Sequence, residues 1–429
     1  MVLKTNDIKG GFMKTLLFFE EYESNLSYAL RARRDINTVF IRTNKNLKFF
    51  TDEYLEKYKD YYLIDYFNDM DDEVNKFKGW LLLRNIKIDY FLNDSEYYMR
   101  FSNDFARRLG LECLSEEQVS WVRDKVLMKD KFRNIGLKTV EYSPIKSIED
   151  IKSFYLKSGN KKIVVKPRSG MNSLDVYVLN NIDDIESLPI DLSKGNYMVE
   201  LFTPYHEWSI ESLVQNGKVL DSYLTYIPSS TIEAAINCKL NCHMQLIEYP
   251  NYFETNPKTY IQTIVDGMGL KNGAMTIEVF VSPSGEIYAS EMGWRFPGCQ
   301  TTTNISISRG FNIYDTLIDI SIHKDVKLKY KKDITCPGDI YLPNKEGIIE
   351  NFTSLEEISK MPGFVKGKIF IKKGDVVKKK RLGTDASGWV IVQSKDPKTT
   401  MEMMKYIYDN YKIIVKEEGK SDYVKTKKI

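Results

Sequence analysis

The sequence predicts a mixed α/β (α+β) protein, with a doubly wound α/β domain at the N-terminus and a small β-rich domain at the C-terminus. Apolar strand-like runs alternate with amphipathic helical runs from Lys14 to Gly110, the pattern of a parallel sheet covered by helices. A hairpin signal stands at Thr276 to Arg295, where apolar and polar residues alternate on both sides of Pro283-Ser284-Gly285. From about Lys331 to Val415 the pattern changes to short strands around a single helix.

Taken in order, Lys14 to Phe19 reads as a buried strand, and Met13-Lys14 just before it leaves residues 1–12 as an extension outside the fold. Asn25 to Arg34 reads as a helix, Thr38 to Arg42 and Tyr61 to Asp65 as strands, Asp71 to Asn85 as a helix, Ile88 to Leu92 as a strand, and Ser95 to Leu109 as an amphipathic helix. No G-x-G-x-x-G accompanies this alternation, so a dinucleotide domain is excluded. Ser115 to Asn134 reads as one helix closed by Gly136, and Glu149 to Ser158 as another. Lys162 to Pro167 and Asp175 to Leu179 are strands joined by the small, polar loop 168–173. Tyr197 to Phe202 and Trp208 to Gln215 are strands broken at Thr203-Pro204-Tyr205-His206, and Asn216-Gly217 turns the chain into a strand at Lys218 to Leu224. Helices are expected at Lys258 to Met268, Asn312 to His323 and Thr399 to Asn410.

With 429 residues, the chain has room for about three domains. Apolar residues at 42% and charged residues at 28% describe an ordinary globular composition. A net charge of +3, from 62 basic and 59 acidic residues, leaves no footprint for nucleic acid. No apolar run approaches the ~18 residues of a membrane span, and residues 1–13 lack the apolar stretch of a signal peptide. Five sparse cysteines suggest reduced thiols and a cytoplasmic protein. Cys238, Cys242 and His243 lack a second ligand pair at a zinc spacing, so ordinary partly buried thiols are expected there.

The hairpin carries the first chemical signal. Pairing Pro283 with Glu286 or Ser282 with Ile287 gives one register, and that register sets Glu278 opposite Glu291 on one face. Carboxylates about 5 Å apart repel by ~0.8 kcal/mol in water and ~3 kcal/mol at an effective dielectric of about 20. A divalent cation between them relieves this, and Arg295, two steps beyond Gly293, adds a charge suited to phosphate. Lys166 ends its strand before a flap in which the backbone N–H groups of Ser169, Gly170 and Ser173 can donate to phosphate oxygens. Lys125 sits on the preceding helix, where a lysine is ordinarily solvated. Glu200 ends the strand Tyr197 to Phe202 and can offer backbone groups to an adenine edge, and Glu207, beyond the Pro204 break, can accept from ribose hydroxyls. Cys299 has no partner base evident in the sequence, so no covalent nucleophile is expected.

The order of these pieces resembles the ATP-grasp superfamily over about 95–325. DKVLMKDKFRNIGLKTVEY resembles its opening helix with Lys125 as the first nucleotide lysine, and VVKPRSGMNSLDVYVL its second lysine, Lys166, and phosphate flap. VELFTPYHEWSIESLVQNGKV is similar to the adenine hinge, around Glu200 and Phe202, and the ribose glutamate, Glu207; EVFVSPSGEIYASEMGWR is similar to the metal-binding hairpin. The outer parts resemble L-amino-acid ligases and related carboxylate–amine ligases: Asn93 to Glu96 and Arg107 to Leu111 before the core, and Gly347-Ile-Ile, Pro362-Gly and Lys373-Gly-Asp375 after it.

The resemblance implies four units: a pre-ATP-grasp domain at 13–114, a lid subdomain at 115–200, a large subdomain at 201–330 and a C-terminal α+β domain at 331–429. It implies ATP and Mg²⁺ (or Mn²⁺) as cofactors, with Glu278 and Glu291 on the metal and Arg295 as the catalytic residue. The implied activity joins a carboxylate, an amino acid among the candidates, to an amine through an acyl phosphate. Acyl transfer to a carrier-protein thiol and a regulatory nucleotide-binding module are the alternatives, and a homodimer is a family expectation. Gly293 stands where the family commonly has a metal-ligating Asn, which bears on whether one or two metals bind. Substrate contacts are expected between Tyr226 and Asn256 and around Phe296 to Thr303, with Tyr226, His243 and Arg309 as candidates.

Overall fold

The computed structural model describes residues 13–170, 174–229, 241–378 and 386–416. Strands β1 (Thr15–Phe19), β2 (Asn37–Thr43), β3 (Tyr62–Ile64) and β4 (Tyr90–Leu92) form a sheet of order β3-β2-β1-β4 in which every pair is parallel. All five residues of β1 are buried, as a strand covered on both faces requires. Leu17 and Phe19 pack with Phe77 and Phe105 on one side, while Leu16 and Phe18 pack with Leu26, Leu30 and the helix Ile313–Ser321 on the other. The second packing ties this domain to the rest of the chain, since the same cluster includes Leu213 and Ala274.

Two helices differ from the sequence reading. The expected helix at Ser95 to Leu109 begins only at Met99, leaving Asp94 to Glu96 in irregular chain before the turn at Tyr97 and Tyr98. The expected helix at Ser115 to Asn134 is two, Glu116–Arg123 and Lys125–Asn134, parted at Asp124. Asp124 leaves helical geometry and caps the second helix, accepting from the N–H groups of Val126 and Leu127. Its carboxylate also holds Arg168 at 2.7 Å, and the Lys125 N–H donates to Arg168 O at 2.8 Å. The break therefore joins the helix start to the root of the flap. Asp124→Ala should cost about 0.5–2 kcal/mol of stability; urea unfolding checks this, and an unchanged stability would contradict the capping role.

Strands β5 (Tyr142–Ile145), β6 (Ile163–Pro167), β7 (Tyr177–Leu179) and β8 (Tyr197–Leu201) make a second, antiparallel sheet of order β5-β8-β6-β7. The third sheet is the largest. It runs through β9 (His206–Gln215), β10 (Lys218–Tyr226), β11 (Cys242–Gln245), β12 (Gly273–Val281) and β13 (Ile287–Gly293). It continues across residue 331 into β14 (Cys336–Leu342), and into β16 (Phe364–Ile369) and β18 (Gly388–Ser394), in the order β13-β12-β9-β10-β11-β14-β18-β16. The strands β15 (Gly347–Phe352), β17 (Val376–Val377) and β19 (Ile413–Lys416) form a small sheet beside it. Helix Pro257–Met268 covers one face of the large sheet with Ile210, Ile277 and Val279 beneath it. Among the described residues no helix is long and apolar enough to cross a membrane.

Candidate active site

The site is built on the other face of the large sheet. Strand pairing places Glu207 beside Phe280, Ser209 beside Glu278 and Glu211 beside Thr276, all on that face by the two-residue period. Across the hairpin Glu278 lies opposite Glu291, and Thr276 opposite Gly293. The route to this pairing differs from the expected one. The pairs Pro283 with Glu286 and Ser282 with Ile287 do not form as strand partners. Instead Val281 pairs with Ile287, and the Ser282 and Gly285 N–H groups close the loop onto Glu286 O at 3.0 Å and Ser282 O at 2.9 Å. A bulge at Ser290 then absorbs the one-residue offset and returns the two carboxylates to register. Gly285 takes φ +90°, and a Cβ there would lie 1.7 Å from Tyr252 O, so no other residue closes this turn.

Lysines from two other elements converge on this pair. Lys166 on β6 places Nζ 2.8 Å from Glu291 Oε1 and 2.6 Å from Glu200 Oε1. Lys125, at the start of its helix and buried rather than solvated, places Nζ 3.1 Å from Glu291 Oε2 and donates to Gly170 O at 3.1 Å. The flap thus turns a carbonyl toward this lysine at Gly170, while Ser169 is exposed; Ser173 lies outside the described residues. Lys129, one helical turn past Lys125, was not foreseen. It is fully buried, with Nζ 3.1 Å from Glu200 Oε2 but no aligned hydrogen bond.

Glu200 offers its side chain to the cluster of lysines. Its backbone is committed to the ladders with Tyr142 and Val164, so its side chain, clasped by Lys129 and Lys166, is its contribution. Phe202 lies next along the chain, with Lys162 Nζ 4.0 Å over its ring. Glu207 is a buried strand residue rather than a loop residue, because β9 starts at His206. His206 stacks on Tyr226 at 4.7 Å, and burial lowers its pKa.

Electrostatics follow from this packing. Burial, with Glu207 and Glu291 nearby, pushes the Glu278 carboxyl well up. Burial works the same way at Glu291, but Lys125 and Lys166 outweigh it and hold that carboxylate below its usual range. Burial pulls Lys129 down, against the charge of Glu200. Glu278 therefore holds its proton more readily than an ordinary carboxyl, and a cation between the two carboxylates would favour its charged form. Among the described residues no group of three or more His, Cys, Asp or Glu side chains could hold a metal ion. The fit is to an ion that takes two carboxylates and completes its shell with phosphate oxygens and water, as Mg²⁺ does. A Cβ at Gly293 would lie 3.4 Å from Arg295 Cγ, so Arg295 itself occupies the space beside that position.

Arg295 follows β13 and pairs with Glu96, which also pairs with Arg123. Asp94 accepts the Phe296 N–H at 3.0 Å, and burial pushes its carboxyl up to about 7. Glu21, Tyr22, Asp94 and Ser95 line a hollow at the end of β1, and Arg295 acts on the Glu21, Tyr22 and Asp94 groups. This places the arginine at the seam between the N-terminal domain and the large sheet. Arg309, a candidate substrate contact, is instead turned to the backbone oxygens of Leu246 and Ile247 at 3.2 and 3.3 Å.

Glu211 is fully buried behind the site and takes hydroxyl donors from Ser209, Thr225 and Thr276. Burial pushes its carboxyl up to about 7, so the folded state holds a proton that an unfolded carboxyl releases near pH 4.5. Stability should therefore fall as pH rises from about 4.5 to about 7, by roughly 3 kcal/mol over the window. Glu211→Gln keeps the shape without the titration; its unfolding free energy should exceed wild type at pH 8 and match it near pH 4.5. Equal stability at pH 8 would refute this.

The chain is similar to known proteins in both sequence and fold. The family profile of the L-amino acid ligase C-terminal domain 2 matches residues 340–415. The L-arginine-specific L-amino acid ligase of Bacillus subtilis is 21% identical over 318 residues, covering 70% of this chain and 75% of that protein. The crystal structure of an L-amino acid ligase from Bacillus licheniformis superposes with a TM-score of 0.73 at 16% identity, covering 94% of this chain and 99% of that one. The chain is similar to L-amino acid ligases in sequence and shares their fold. The same fold is shared with the biotin carboxylase domain of the Hydrogenobacter thermophilus 2-oxoglutarate carboxylase, described with MgADP, ADP and bicarbonate. Its TM-score is 0.61 at 16% identity, covering 94% of this chain and 91% of that one.

Some members of this site were within reach of sequence reasoning. Lys129 shares a helix face with Lys125, and Glu211 continues the alternation of Glu207 and Ser209. Asp94 and Glu96 entered only through the resemblance at Asn93 to Glu96; their meeting with Arg295 spans about two hundred residues of chain and has no local signal.

Proposed function

We propose that the protein is an ADP-forming ligase that joins an amino acid carboxylate to an amine through an acyl phosphate. The observation that carries this reading is the convergence of Lys125 and Lys166 on Glu291, which faces Glu278. Those lysines would exchange carboxylate oxygens for phosphate oxygens as nucleotide binds, and Lys129 would keep Glu200 in place behind them. Ser169 and Gly170, with Ser173, would cover the phosphates from the flap; Glu200 would close the back of the pocket, and Phe202 and Glu207 would meet the adenine and ribose. Glu278 and Glu291 would hold Mg²⁺, which when bound neutralises the phosphate oxygens. Arg295, fixed by Glu96, would stabilise charge on the phosphoryl group in transfer and on the acyl oxygens.

An amino acid suits the cleft better than a simple carboxylic acid. Glu21 and Asp94, both raised by burial, line the hollow next to Arg295, and an ammonium group there would offset their charge. The relative's stated specificity for L-arginine makes amino acids the first substrates to try. The test is a panel of amino acids with Mg-ATP and hydroxylamine, reading hydroxamate and phosphate together. Hydroxamate with one or a few amino acids, and none with their desamino analogues, is expected. Tight ATP binding without phosphate release on any substrate would favour a regulatory nucleotide-binding module instead, a reading to which Gly293 gives some support.

A further inference from the structure

Arg123 ends the helix Glu116–Arg123, one residue before the break at Asp124. In an unbroken helix, side chains two residues apart point about 200° away from each other, to opposite sides. Asp124 is extended instead, at φ −105° and ψ 109°, so residues 123 and 125 are free of that opposition. Direct contacts show both cations turned to one cleft. Lys125 Nζ is 3.1 Å from Glu291 Oε2, and Glu291 leads along its strand to Arg295. Arg295 Nη2 donates to Glu96 Oε2, and Arg123 Nη1 donates to Glu96 Oε1. This ring of contacts closes on itself, and it sets Arg123 on the same rim as Lys125 and Arg295.

The rim holds more positive charge and more donors than Glu96 can use. Glu96 gives one oxygen to each guanidinium, so one negative charge faces two positive ones. The Arg123 and Arg295 side chains are only 11% and 19% exposed, which leaves water little room to offset the excess. Asp94 and Glu21 lie next to Arg295, but burial raises both carboxyls and so limits the charge they supply. Arg295 spends Nη1 on Phe296 O and Nη2 on Glu96, while its Nε is buried without a hydrogen-bond partner. Arg123 spends Nη1 on Glu96, and among the described residues its other nitrogens donate to no protein atom. Spare guanidinium donors with an unbalanced charge suit an anion that offers two or more oxygens.

We propose that Arg123 is a second arginine of the reaction, which with Arg295 grips the substrate carboxylate and holds its oxygens as the acyl phosphate forms. This rests on the ligase reading above. Glu96 stays between the two guanidiniums and sets their spacing, and the donors it leaves free go to the substrate. A carboxylate held from two sides is oriented before it attacks, and the charge that develops on the acyl oxygens meets donors already in place. The break at Asp124 then has a second consequence besides capping, because a continuous helix would turn Arg123 away from the side that Lys125 faces.

The experiment measures hydroxamate formation by the full-length protein with Mg-ATP, hydroxylamine and each amino acid of the panel. In Arg123→Ala the KM for the accepted amino acid should rise about tenfold and kcat should fall about tenfold, with the KM for ATP unchanged. Guanidinium chloride at a non-denaturing concentration should raise the Arg123→Ala rate about threefold and leave wild type as it is, an effect that a merely structural tie would not give. Glu96→Gln keeps both guanidiniums and should raise the KM for the amino acid less than Arg123→Ala does. Arg123→Lys keeps a cation beside Glu96 and so the fold, yet it should lose part of kcat/KM because an ammonium lacks the fork. Wild-type kcat/KM in either Arg123 variant would overturn the proposal and leave the ligase reading standing. The same holds if Glu96→Gln reproduces the KM and kcat of Arg123→Ala and guanidinium restores nothing, because Arg123 would then act only by holding Glu96. Absence of both phosphate release and hydroxamate in wild type would remove the ligase reading and this proposal with it.

Discussion

Arg295→Ala is expected to lower kcat by about 10³-fold with little change in the KM for ATP, because the lost interaction is made to charge that develops during phosphoryl transfer. Glu96 keeps Arg123 as a partner in the variant, so the fold should survive. Thermal unfolding and circular dichroism like wild type would separate a catalytic from a structural defect. Arg295→Lys should recover only part of the rate, since an ammonium cannot reproduce the forked contact of a guanidinium. Glu291→Ala should also lose turnover, but with weakened Mg-ATP binding, because two lysines and the metal position lose their shared carboxylate. Wild-type rates in either alanine variant would refute the assignment of this site.

Glu200→Ala should have the largest effect on stability. The side chain is the ion-pair partner of fully buried Lys129 and a close partner of Lys166, and removing one member of a buried pair typically costs about 3–5 kcal/mol. Lys166 retains Glu291, so the cost falls mainly on Lys129. Its pKa is already below the ordinary value, and without Glu200 it should fall further. The unfolded lysine then binds a proton that the folded one lacks, so the stability of Glu200→Ala should rise with pH toward about 10, where unfolded lysine also titrates. Lys129→Met in the same chain should recover much of the loss. Urea unfolding of both single variants and the double variant at pH 7 and pH 9 measures this. Additive losses, with no recovery, would show that Lys129 and Glu200 do not act as a pair.

Much of the fold was legible because local rules and tertiary packing agree. The buried run of β1, the Asn216-Gly217 turn and the apolar stripe of helix Pro257–Met268 each name their own structure. The misreadings fall where one residue serves a distant partner. Asp124 breaks a helix that periodicity alone continues, because its carboxylate is shared between a cap and Arg168. The facing of Glu278 and Glu291 was foreseen, but from a turn register that the loop does not adopt, and the bulge at Ser290 restores it. The position of Lys125 was read from a resemblance, whereas its burial depends on β6 and the hairpin arriving from elsewhere. Zinc at Cys238 and Cys242 was set aside on spacing; Cys238 lies outside the described residues, and His243 next to Cys242 is engaged by Asp339.

The central claim is that a substrate carboxylate attacks the γ-phosphate of ATP at the site formed by Lys125, Lys166, Glu278, Glu291 and Arg295. The most direct measurement labels both carboxylate oxygens of the amino acid with ¹⁸O and reads the released phosphate by mass spectrometry. Transfer of one ¹⁸O into each phosphate formed is the predicted result. Unlabelled phosphate released alongside amide product would contradict the account, because the carboxylate oxygen would then never have been bonded to phosphorus.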